Sequence, residues 1–185
     1  MKFKSVASIL KSSKTIIISE GNDCQWLGDG SALYPCYGFP QLTQKTIFTI
    51  LDISEAKADK FYVKEQELPA TMNFADSVSD EVMLKRGPFE LCIDEVKVEP
   101  LISGQGIIFI NSKYLKPFSD EKEGIQLYER TTENGTPYIA VKSGFILIGV
   151  ISPINIVTKE LVVNLENILK LSRVALMNAP KGGVE

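Results

Sequence analysis

Glu20, Asp23 and Asp29 fall within ten residues of one another in the stretch "SEGNDCQWLGDG". Carboxylates placed so could share a magnesium ion, which takes oxygen ligands in a near-octahedral shell. No further acids are spaced to complete that shell, and acids beside glycines are ordinary turn residues. A carboxylate- and magnesium-dependent enzyme therefore stands third, behind two binding functions. The Gly28-Asp29-Gly30 run raises a second chemical question, since glycines can cradle phosphates. A phosphate loop follows a strand and opens a helix, with a lysine or a further glycine pattern; here Pro35 ends the segment and no helical pattern begins. The run predicts a hairpin turn, in which glycine supplies positive φ and Trp26 and Tyr34 pair across the two strands.

Histidine is absent from all 185 residues. That removes Ser-His and Cys-His nucleophile pairs, an imidazole base and the usual nitrogen ligands of a catalytic zinc. Three cysteines, Cys24, Cys36 and Cys92, form no C-x-x-C pair and leave an odd number. This speaks against a disulfide framework or zinc ribbon and for a reducing, cytoplasmic setting. No apolar run is long or continuous enough for a signal-peptide core or a membrane span. The expectation is a protein without catalytic residues, cofactor, metal or membrane contact.

Charge is where the sequence is uneven. The net is −3, but Lys2, Lys4, Lys11 and Lys14 give the first fourteen residues +4, while residues 52–99 hold twelve acids against six bases. Lysines on one face could meet phosphates. Acids such as Asp76, Asp80, Glu81, Asp94 and Glu95 could meet a basic protein surface. Solvation is the ordinary role of either set.

The elements that would carry these residues follow from periodicity. Val6, Ile9 and Leu10 predict a short amphipathic helix from about Lys4 to Ser12, and the β-branched run Thr15 to Ile18 a strand. Thr43 caps a second helix with Ile47, Phe48, Ile50 and Leu51 on its apolar face, and a short charged helix leads to a strand at Phe61 to Val63. Periodicity fades from Pro69 to Pro88, which predicts an irregular excursion. "FELCID" and "GIIFIN" read as strands on either side of the turn Gly104-Gln105-Gly106, and "SKYLKPF" as one or two helical turns. "GIQLYERT", "PYIAVK" and "FILIGVISPI" read as strands, with turns at Asn134-Gly135 and Ser143-Gly144. A long helix capped by Thr158 should run to about Met177, and the last seven residues should fray.

Two blocks share an order. The one from Met1 to Pro35 reads strand tip, helix and three strands, as does the one from Ile107 to Pro153. Repetition of this kind predicts two similar units closing their apolar faces on each other. The fold class is α+β: antiparallel sheet with packed helices, a pseudo-repeat of helix-plus-three-strand units, and a long C-terminal helix. One domain should span residues 1–185, with a helical and irregular insertion at about 36–106.

"YLKPF", "GIQLYE", "PYIAVK" and "FILIGVISPI", within residues 107–156, resemble the closing module of DNA polymerase sliding clamps, and "GDGSALY" is similar to the Asp-Gly turn of such modules. The chain is also similar to small uncharacterised proteins of phages and mobile elements of Firmicutes, a set that includes type II anti-CRISPR proteins. The resemblance implies a clamp-like domain acting in a bacterial host cytoplasm. It is too short to encircle DNA except as a homo-oligomer. Its lysines, Lys2, Lys4, Lys11, Lys14, Lys113 and Lys116, would contact duplex DNA backbone, and its partner would belong to the replication machinery. The alternative is an inhibitor of Cas9 that binds the effector or its DNA, with Asp76, Asp80, Glu81, Asp94 and Glu95 entering a basic channel.

Overall fold

The structure is a computed structural model that describes residues 1–178 other than 94, 105, 122 and 123. It is mixed α and β, built on a large sheet, and its contacts divide into two units, Met1–Ile154 and Asn155–Glu185. Asp94, Gln105 and the terminal residues expected to fray lie outside the described residues.

The first unit opens with α1 (Phe3–Ser13), which buries Val6, Ile9 and Leu10 and ends at Lys14 in the left-handed conformation. The chain reverses there into β1 (Thr15–Glu20), then β2 (Trp26–Gly28) and β3 (Ala32–Pro35), an antiparallel meander. After α2 (Gln44–Ile50) and α3 (Glu55–Ala58), β4 (Tyr62–Glu67) pairs with β1. At the other end of the unit, β9 (Gly106–Asn111) leads into a 3-10 helix (Ser112–Phe118). A second meander follows: β10 (Gln126–Thr131), β11 (Pro137–Ser143) and β12 (Ile146–Ile151).

The two meanders join edge to edge through β3 and β12, with Val150 opposite Leu33 and Ile151 opposite Ala32. The eight-stranded sheet runs β4-β1-β2-β3-β12-β11-β10-β5, where β5 is the two-residue strand Val82–Met83. One face carries the main core. It receives Leu10 of α1, Ile47 of α2, Tyr114 and Phe118 of the 3-10 helix, and Leu101 and Ile110 of a second, four-stranded sheet. Fully burying one such aliphatic side chain stabilises by about 1.5–3 kcal/mol. The other face carries a smaller cluster of Trp26, Leu33, Tyr138, Ala140, Leu147 and Val150, covered by Leu68, Met72 and Phe74.

Several expectations are corrected. The sheet is not wholly antiparallel, because β4 runs parallel to β1 from Thr15 opposite Tyr62 to Glu20 opposite Glu67. Trp26 and Tyr34 do not face each other. Leu27 is opposite Tyr34 and Trp26 opposite Pro35, so that one-residue offset sends the two rings to opposite faces. No strand precedes α1, whereas its counterpart in the second block, the 3-10 helix Ser112–Phe118, follows β9 and holds Pro117 within it. The second sheet also holds a strand that periodicity missed. This is β8 (Val96–Ser103), flanked by β9 along one side and by β6 (Lys85–Arg86) and β7 (Leu91–Ile93) along the other. A proline inside a run argues against a central strand. Pro100 is tolerated because it falls in the gap between β7, which ends its pairing at Val98, and β6, which begins at Leu101.

The second unit holds α4 (Lys159–Asn178). Thr158 caps it, its Oγ1 accepting from the Leu161 N–H at 3.1 Å. Among the described residues no helix is long and apolar enough to cross a membrane.

Candidate functional site

The irregular stretch after β4 is the element that shapes a site. Residues 68–81 cross the smaller-core face of the sheet as a strap. Its apolar side chains set it down: Phe74 meets Trp26 edge-on, with ring centroids 5.0 Å apart and planes at 68°. Its backbone polar groups, which have no ladder to join, are taken up by the sheet's side chains. The Tyr138 hydroxyl accepts from the Asn73 N–H and donates to the Asn73 carbonyl, both at 3.0 Å. Arg130 donates to the carbonyls of Asn73, Ala75 and Asp76 at 3.0, 2.8 and 3.3 Å.

One carboxylate fastens the end of the strap. Glu81 accepts from Arg130 Nε at 2.9 Å and Nη2 at 2.6 Å, and its other oxygen takes Lys142 Nζ. Both cations are buried, Arg130 at 3% and Lys142 at 4% exposure. Lys142 also lies 4.6 Å from the centroid of the Tyr128 ring. Burial raises the Glu81 carboxyl, but the Lys142 and Arg130 hydrogen bonds and charges outweigh it and bring it below its ordinary value. Asp76 is also engaged: its carboxylate accepts from the Leu147 N–H at 2.8 Å.

Between the strap, the β1–β2 loop, Tyr37 and the β10–β11 turn lies a half-open cleft of about 890 Å3. Trp26, Phe74, Tyr138 and Met72 line its interior, and Tyr37 is 54% exposed. Five carboxylates line it without a cation partner among the described residues: Glu20, Asp23, Glu67, Asp80 and Glu133. Among the described residues Arg130 is the one basic residue in its lining, and Glu81 answers its charge. The Cys24 thiol is hydrogen-bonded to Tyr37, and burial together with nearby Asp23 raises it despite the Cys36 and Tyr37 hydrogen bonds, so it is not an activated nucleophile.

The acids singled out in the sequence are thus dispersed. Asp80 and Glu81 line the cleft, Asp76 fastens the strap, and Glu95 is exposed in the β7–β8 turn of the other sheet with φ of 67°. Asp94 lies outside the described residues. Glu20, Asp23, Glu67 and Glu133 come together across more than a hundred residues, and only Glu20 and Asp23 carried any local signal. The third member of that trio is elsewhere. Asp29 has a side chain only 2% exposed and accepts from the Ser31 N–H at 3.1 Å and the Tyr114 hydroxyl at 3.0 Å. Among the described residues no three His, Cys, Asp or Glu side chains form a group able to hold a metal.

The lysines gather on the main-core side. Lys4 and Lys11 sit seven residues apart on the exposed stripe of α1, Lys14 is exposed at its end, and Lys116 is exposed on the 3-10 helix that α1 touches. None of the four makes an ion pair among the described residues. Lys2 is paired with Asp120 at 2.6 Å, and Lys113 lies 4.0 Å from Asp29 and over the Tyr114 ring.

No protein-family model matches this sequence, and neither the curated proteins nor the solved structures yielded a match.

Proposed function

We propose that this chain is a non-enzymatic binding protein of a phage or mobile element, with a clamp-like architecture that presents lysines to the backbone of duplex DNA. One observation carries this reading: two three-stranded meanders meet at β3 and β12, and the helices that precede them touch on one side. What supports the reading is the repeated order of a helix and a three-stranded meander, together with the exposed positions of Lys4 and Lys11 on α1, Lys14 at its end and Lys116 on the 3-10 helix it touches. Phosphate contacts of this kind give affinity that falls with salt and carry no base sequence. The test is retention of a labelled duplex across a salt series, with light scattering for the assembly state. Affinity that weakens steeply with salt is expected; no retention at low salt overturns the DNA reading.

A second reading, inhibition of Cas9 through acidic surfaces, is favoured by the uncompensated carboxylates of the cleft. It predicts slower target cutting by purified Cas9 at several-fold excess of the protein, and unchanged cutting by enzymes of different source removes it.

A further inference from the structure

We propose that the cleft between the strap and the β1–β2 loop receives an arginine-bearing peptide segment of a protein partner. The inference begins with shape. A half-open cavity of about 890 Å3 accommodates several side chains, and its lining mixes the aromatic and thioether groups of Trp26, Phe74, Tyr138 and Met72 with polar ones, a make-up that suits a guest with both apolar and charged parts. Charge then selects the guest. Glu20, Asp23, Glu67, Asp80 and Glu133 reach the cleft from four separate chain segments, and among the described residues no free basic side chain lines it.

Guanidinium suits both features together. Its planar fork pairs with carboxylates and its face stacks on aromatic rings, which an ammonium group does less well. Tyr37 is 54% exposed and its hydroxyl feels the negative charges of Asp76 and Asp23, so a cation at that ring enters a field favourable to it. The guanidinium already present shows the same chemistry within the fold, since Arg130 gathers three strap carbonyls and the Glu81 carboxylate. This inference deepens the protein-binding side of the proposed function and is tested apart from it, because peptide capture can fail while DNA retention or nuclease inhibition persists.

Trp26 is the single tryptophan of the chain and lines the cleft, so its emission reports occupancy. The probe is a synthetic peptide of alternating glycine and arginine, with a citrulline peptide of equal length as its neutral isostere. The expected result is a saturable change with the arginine peptide and none with citrulline. The combined variant Asp23→Asn, Glu67→Gln, Glu133→Gln should weaken it at least tenfold. A control removing equal charge elsewhere, Asp52→Asn, Glu55→Gln, Asp59→Asn on exposed positions around α3, should leave it within twofold. No saturable change at millimolar peptide, equal response to citrulline, or equal weakening by the control overturns the proposal.

Discussion

Arg130 and Glu81 lie 49 residues apart, and the guanidinium closes on the carboxylate at 2.9 and 2.6 Å. The pair joins the end of the strap to β10, in a place where neither charge meets bulk water freely. Arg130 is buried, and the Glu81 side chain is 12% exposed. Taking away one partner of such a pair leaves the other buried and unanswered, which is more costly than never having had the pair. Glu81→Gln should therefore destabilise by roughly 3 kcal/mol or more, because two cations, Arg130 and Lys142, lose their counter-charge together. Urea unfolding followed by Trp26 emission measures it. A loss below about 1 kcal/mol would mean that the cluster is no more than a surface ion pair.

The same carboxylate sets a direction with pH. Despite the upward pull of burial, Lys142 and Arg130 hold Glu81 below its ordinary value. A group depressed on folding contributes stability that is fully present above its unfolded value, about 4.3, and is lost as pH falls through the folded value. Glu121 shifts the same way, chiefly through the hydrogen bond from the N-terminal amine, so among the described residues acid lability has two sources. Urea midpoints from neutral pH into the acid range should fall for the native chain. They should fall less for Glu81→Gln, which has already lost one of the two titrations. Parallel curves for the two proteins would rule out Glu81 as a source.

How much of this was legible in the sequence depends on whether the signal was local. The helix around Leu10, the cap at Thr43, the Gly30 turn and the final meander all rest on periodicity or turn chemistry within a few residues, and they form where expected. Strand β8 was hidden because Pro100 breaks the pattern and only the gap between β6 and β7 makes it acceptable. The cleft was hidden for a different reason. Glu67 and Glu133 have no neighbours in sequence that mark them, and they meet only because the strap crosses the sheet. Within the acidic middle, composition alone did not separate Glu81, held by buried cations, from Asp80, which remains at the cleft without one.

Gly28 tests the hairpin more sharply than its composition suggests. A Cβ there would fall 1.8 Å from the Ala32 carbonyl oxygen and 2.9 Å from Leu33 Cδ2. The obstacle is backbone, which cannot swing aside as a side-chain tip does. Gly28→Ala should cost about 2–3 kcal/mol, at the upper end of overpacking penalties. Gly144 provides the contrast, since its φ is 59° but no atom lies within 4 Å of the Cβ position. Gly144→Ala should cost only about 1 kcal/mol, from left-handed strain alone. Denaturant midpoints of the two variants decide it, and equal losses would place the close approach in doubt.

The lysine face makes a prediction that separates engaged cations from free ones. Lys2 and Lys113 are already near Asp120 and Asp29, so they release less when a phosphate arrives than Lys4, Lys11, Lys14 and Lys116 do. Each phosphate neutralised contributes about 0.9 to the slope of log affinity against log salt. Replacing the four free lysines with glutamine should flatten that slope by about two to four and weaken binding uniformly across duplex sequences. Replacing Lys2 and Lys113 should change it by less than about one. Duplex titrations at several salt concentrations give both slopes. If the two variants flatten it equally, exposure on the helix pair is not what selects the contacts, and net charge alone explains the binding.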